Sequence, residues 1–233
     1  MIPLHDDNPT DINPLVTLSL IALCILVYVF QLTLGPAGSR TLIHGLGVIP
    51  AVLLNKTSLP AEPALVSPAL TLLTSMFTHG GFLHLAGNML YLWIFGNNVE
   101  DAMGHIRFIL FYVLCGLAAA AGQVFQNPDS LLPMIGASGA VSGVLGAYLL
   151  LYPHARVLVL LPLGFYAQLI RILALWVLGF WFLLQVLSSF FSGQQQGGVA
   201  WYAHISGFIA GLMLVPLFKR KKVKLFHGRR PGH

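Results

Sequence analysis

Six apolar stretches recur along the chain, most of them near the roughly 20 residues needed to cross a hydrocarbon layer, separated by stretches rich in glycine, proline and amides. The first runs from about Pro14 to Leu34. A long connection follows, from Gly35 to about Leu70. Within it Thr41 to Leu54 is apolar but broken by glycines and Pro50; it is too short to span and is expected in or partly under the membrane interface. Lys56 to Pro68 is proline-rich and reads as loop. The second span is expected over about Phe77 to Gly96, and the third over about Arg107 to Phe125. A short polar turn, Gln126 to Leu132, leads to the fourth, about Gly136 to Tyr152. Pro153 to Phe165 is ambiguous, because the apolar run Val157 to Leu161 is flanked by prolines. The fifth span is expected over Ala167 to Phe191, followed by a Gln/Gly-rich loop, Ser192 to Gly198. The sixth covers Trp201 to Phe218. The pattern predicts an all-α, polytopic membrane protein, a six-helix bundle with a partly embedded first loop.

Composition agrees: 57% of the 233 residues are hydrophobic and 8% charged, against about 25% charged in soluble domains. Seven of the twelve Lys and Arg lie between Lys219 and Arg230. The basicity is therefore a tail and not a folded face, and a nucleic-acid partner is not expected. Residues 1–13 then form a cytoplasmic segment, 14–218 the membrane domain and 219–233 a basic cytoplasmic tail. Six spans put both termini on one side, and the tail makes that side cytoplasmic. Arg107, Arg156 and Arg171 fall on the same side, and the outer side keeps only Arg40 and Lys56. The expected location is a cell (inner) membrane. The tail suits binding of anionic inner-leaflet lipid or a topology anchor equally well. The leader carries Asp6, Asp7 and Asp11 and no Lys or Arg, so a cleavable signal peptide is not expected. Cys24 and Cys115 both lie in apolar runs and read as small core residues.

Polar groups inside spans are costly and usually functional. His79, His84 and Asn88 fall near the outer end of span two, Ser138 at the start of span four, and His204 in span six. All share the outer half of the membrane. His84 and Asn88, four apart, share a helix face, whereas His79 points elsewhere. Ser138 begins a helix, where free N–H groups favour negative charge. Gly139, Gly143 and Ala147 form one small-residue stripe, and Ala203, Gly207 and Gly211 another; close approach of the two would bring His204 beside Ser138. His204 could then serve as base for Ser138. The Ser138 N–H, His84 and the Asn88 amide are the available oxyanion donors. With no carboxylate at that depth, the unit is a Ser–His dyad. Three histidines could instead hold a metal, but no cysteine or carboxylate accompanies them, so neither metal nor cofactor is expected. A proton-relaying transporter would show repeats or mid-membrane charges, and neither is present.

These residues resemble the rhomboid intramembrane serine proteases, over nearly the whole chain. Gly136-Ala-Ser-Gly139 resembles that family's GxSG motif, and Ala203-His204 with Gly207 and Gly211 its AHxxGxxxG motif. His79, His84 and Asn88 resemble HxxxxHxxxN, and Gly96 to Gly104, with Glu100, the GxxxExxxG element. The resemblance implies Ser138 as nucleophile, His204 as general base, His84 and Asn88 at the oxyanion hole, and cleavage of transmembrane protein substrates near their outer face. It implies a structural role for Glu100, expected to bond first-loop backbone or neighbouring helix ends. The alternative within the family is an inactive member that binds transmembrane clients. The sequence departs from the family pattern twice. Leu70-Thr71 stands where a Trp-Arg pair is frequent, and Ser142 where a Tyr often stacks on the catalytic His. Ser142 shares the Ser138 face and is placed to bond Ser138 or His204. Span five is bulky and aromatic, with Trp176, Phe180, Trp181 and Phe182. It is expected, with the Ser192 to Gly198 loop, to form the movable gate.

Overall fold

The computed structural model describes residues 1–57, 65–163, 166–191 and 199–226. In chain order, strand β1 (Ile2–Asp6) precedes helices α1 (Leu15–Thr33), α2 (Gly35–Leu46), α3 (Pro50–Leu53) and α4 (Pro68–Thr74). Helices α5 (Phe82–Met103), α6 (His105–Gln126) and α7 (Ser138–Leu151) follow, then strands β2 (Arg156–Leu163) and β3 (Tyr166–Leu173), and finally α8 (Ala174–Phe191) and α9 (Trp201–Phe218).

Among the described residues four helices, α1, α6, α8 and α9, are long and apolar enough to cross a membrane. The other two expected spans are helices of a different kind. With 22 residues α5 has the length, but it ends in Glu100 and Asp101, both buried. With 14 residues α7 measures about 21 Å at 1.5 Å per residue, short of a hydrocarbon core of about 30 Å. Eleven of its residues are buried, because α5, α6, α8 and α9 all touch it. A helix so enclosed needs no lipid-facing length.

Small residues set the spacing at the centre. A Cβ on Gly207 would land on the carbonyl oxygen of Gly139, and one on Gly211 on that of Gly143. Helices α7 and α9 therefore approach backbone to backbone along the two predicted stripes. On the opposite side α1 turns Thr17, Leu20, Cys24 and Gln31 inward, residues spaced for one helix face. Glu100 pins its start: the carboxylate accepts from the Val16 and Thr17 N–H groups at 2.9 and 2.8 Å and from the Thr17 hydroxyl at 2.7 Å. Two N–H groups of the first turn, which no helix can satisfy internally, thus find their acceptor on α5. His105 Nδ1 lies 2.6 Å from the same carboxylate.

The all-α expectation needs correction. An antiparallel sheet, ordered β1-β2-β3, joins the N-terminal strand to two strands that lie between α7 and α8 in sequence. Ala155, Val157 and Val159 alternate as buried residues with more exposed neighbours, the period-two signature of a half-buried strand. Tyr166 to Leu173 pairs in unbroken register with Arg156 to Leu163. The expected fifth span is consequently shortened, and α8 starts at Ala174 instead of Ala167. The second span is shifted as well: Gly80-Gly81 delays its start to Phe82, and it continues to Met103. A buried polar knot holds the sheet to the helices. Tyr148 and Asn98 donate to Asp6 at 2.6 and 3.0 Å, and Asn8 donates to Asn98 at 2.6 Å. The start of the basic tail is docked too: Arg220 pairs with Asp101 at 2.8 Å, and Phe226 N–H donates to Leu150 O at 2.8 Å.

Candidate active site

Ser138 is the first residue of α7 and is half-buried. The segment leading to it is strapped on three sides. Val48 and Met134 exchange backbone hydrogen bonds, and Gly136 N–H donates to Ser75 O at 2.8 Å. His79 Nε2 accepts from Ala137 N–H at 3.5 Å, with Nδ1 3.3 Å from Phe77 O. His79 therefore braces the turn before the serine.

Gly136 has φ of 110°, a region that side chains rarely adopt. The space is also closed: a Cβ there would sit 2.6 Å from the His84 ring and 3.6 Å from Asn88 Nδ2. The glycine thus lets the His84 ring and the Asn88 amide come down over the backbone just before Ser138. Asn88 Nδ2 is buried and makes no hydrogen bond to any described residue. A buried amide donor without a partner costs about 1–3 kcal/mol, and here the residue lines a cavity.

That cavity, about 980 Å³, is lined by Ser138, His204, His84 and Asn88 together. The structure thus brings together four of the five polar residues singled out in the spans, and turns the fifth, His79, to the turn behind them. Gly139 lies against Ala203 of α9, which seats His204 on the α9 wall of the cavity. Gln123 of α6 accepts from Ala203 N–H at 3.3 Å. Ser142 donates to the main-chain carbonyl of Ser138 at 2.6 Å, so it bonds the helix rather than the side chain of Ser138 or His204.

Gln185 of α8 lies outside the residues the sequence reading selected. Its Oε1 is 2.8 Å from His204 Nδ1, and its Nε2 donates to Trp181 O at 3.1 Å. The Trp181 and Trp201 rings flank His204, at 6.0 and 6.1 Å between centroids. The signal was present, since Gln185 is a lone amide in an apolar run, but no motif contains it. The Ser192 to Gly198 loop lies outside the described residues.

Residues 67–221 match the family of the rhomboid domain. The chain is 35% identical over 97 residues to Rhomboid protein 1, mitochondrial, of Saccharomyces cerevisiae, covering 40% of this chain and 28% of that one. It is 39% identical over 93 residues to Rhomboid protease GluP of Bacillus subtilis, covering 40% and 18%. It is 32% identical over 142 residues to the human presenilin-associated rhomboid-like protein, mitochondrial, covering 59% and 34%. The matches span about a third or less of the length of these relatives.

Proposed function

The chain belongs to the rhomboid family, and we propose that it is an intramembrane serine endopeptidase cleaving transmembrane proteins near the outer membrane face. The observation that carries this reading is the shared cavity, with a nucleophile, an imidazole and an unpaired amide donor on its walls. One relative bears the word protease in its own name.

In this mechanism Ser138 Oγ attacks the scissile carbonyl while His204 Nε2 takes its proton. The carbonyl oxygen becomes an oxyanion and is held by the Ser138 N–H at the start of α7, by Asn88 Nδ2 and by His84. The tetrahedral intermediate collapses, and His204 returns the proton to the leaving amine. Water admitted to the cavity then attacks the acyl-enzyme with His204 again as base. No cofactor takes part. Polar groups at this depth are tolerable because they face the cavity and not lipid. Six helices cross the membrane in this reading, with both termini cytoplasmic. Substrate enters past α8, of whose 18 residues only four are buried.

A fluorophosphonate, which captures activated serines, tests the assignment. Peptide mass spectrometry should find the adduct on Ser138, with labelling slowed at least tenfold in His204→Ala. Labelling elsewhere, or at an equal rate in His204→Ala, overturns it, and a chain that never labels favours client binding without cleavage.

A further inference from the structure

Gln185 is the sole buried residue of α8 beyond Leu178, at 7% exposure. An amide in an apolar helix is costly unless it finds partners, and the two polar ends of this one do so differently. The Trp181 carbonyl can only accept, so Gln185 Nε2 must be the group that faces it. That fixes the rotation of the amide and leaves Oε1, an acceptor, against His204 Nδ1. The proton of a neutral His204 ring must then sit on Nδ1, and Nε2 keeps its lone pair. A base for Ser138 requires that tautomer.

We infer that Gln185 is a positioning residue of the dyad, fixing the tautomer and tilt of His204, and that it does so only while α8 is docked on α9. Its catalytic consequence rests on the protease reading. The acceptor is neutral, so it orients the ring without placing a charge beside it. It is carried by α8, while Ser138 and His204 belong to α7 and α9. At this level α8 meets α9 through Trp181 and Phe182 against Phe208, at 6.1 and 4.5 Å between centroids, through Trp181 against His204 at 6.0 Å, and, among the described residues, through this hydrogen bond. Movement of α8 away from α9 therefore removes the orienting acceptor from His204. An undocked α8 disarms the base, and a docked one restores it.

The test is 15N NMR of histidine-labelled protein in liposomes, with the His204 signal assigned by its loss in His204→Ala. The wild type should hold His204 with the proton on Nδ1. Gln185→Leu, which keeps the length but not the acceptor, should shift His204 toward the Nε2–H form. It should also lower kcat for a transmembrane substrate by about 10- to 100-fold with KM unchanged, as expected for a group that acts on the base and not on binding. Gln185→Glu, which retains an acceptor at the same reach, should recover the Nδ1–H form and most of kcat. A wild type with the proton on Nε2, or a Gln185→Leu variant with tautomer and kcat unchanged, overturns the inference. A wild type that holds the Nδ1–H form yet cleaves nothing supports the orienting role and overturns the protease reading alone.

Discussion

Asn88 separates a structural amide from a functional one. Its Nδ2 is buried without a partner among the described residues, 3.6 Å from where a side chain on Gly136 would begin. Asn88→Asp keeps the shape and removes the donor. It should cost about 100- to 1,000-fold in kcat, the usual loss for one oxyanion donor, with the thermal midpoint barely changed. Loss of folding with no separable kinetic effect would make the amide structural. Ser138, His204, His84 and Asn88 were legible because each is a polar group in an apolar run and each falls in a spaced motif. Gln185 meets the first condition only, and its role depends on which helix faces His204, which no local pattern encodes. Ser142 was legible as a neighbour of Ser138 but not as its backbone partner, since that choice depends on the rotamer.

Among the elements, α7 and α9 were predicted nearly to the residue, because small-residue stripes state both the helix and its partner. The sheet was not. Only Gln168 and Arg171 interrupt the apolar residues that run from Ala167 into α8, and reading through them concealed a strand followed by a helix. Length gave no warning, since 25 residues are as acceptable for a tilted span as 18. The mobility of α8 is also an element-scale question. Tyr91 of α5 and Trp181 of α8 have ring centroids 6.4 Å apart, so cysteines at these two positions suit a short, reducible thiol cross-linker. Cys24 and Cys115 are buried and should stay unmodified. Cross-linking α5 to α8 should abolish cleavage of transmembrane substrates, and reduction should restore the activity of the uncross-linked double variant. Activity that survives the cross-link would place substrate entry elsewhere.

Over the whole molecule, the buried knot around Asp6 ties the sheet to α5 and α7 and gives the fold a pH dependence. Burial raises the Asp6 carboxyl from 3.8 to about 6, against the opposing pull of the Tyr148 hydroxyl. Between those values the folded protein keeps a proton that the unfolded chain releases. Asp6 therefore favours folding most at low pH, and that contribution is lost as pH rises from about 4 to about 6. The thermal midpoint of wild type relative to Asp6→Asn should fall across this window and level off above it; a constant difference would contradict the assignment. At the same scale Arg220 is held by Asp101, whereas Lys221, Lys222 and Lys224 are exposed. The start of the basic tail thus belongs to the fold.

The central claim is that Ser138 and His204 cleave a peptide bond inside the membrane. The most direct measurement is cleavage of a transmembrane test substrate in liposomes by purified wild type, Ser138→Ala and His204→Ala. The account predicts one cut near the outer end of the substrate helix by wild type and none by either variant. Cleavage that persists in Ser138→Ala would contradict it.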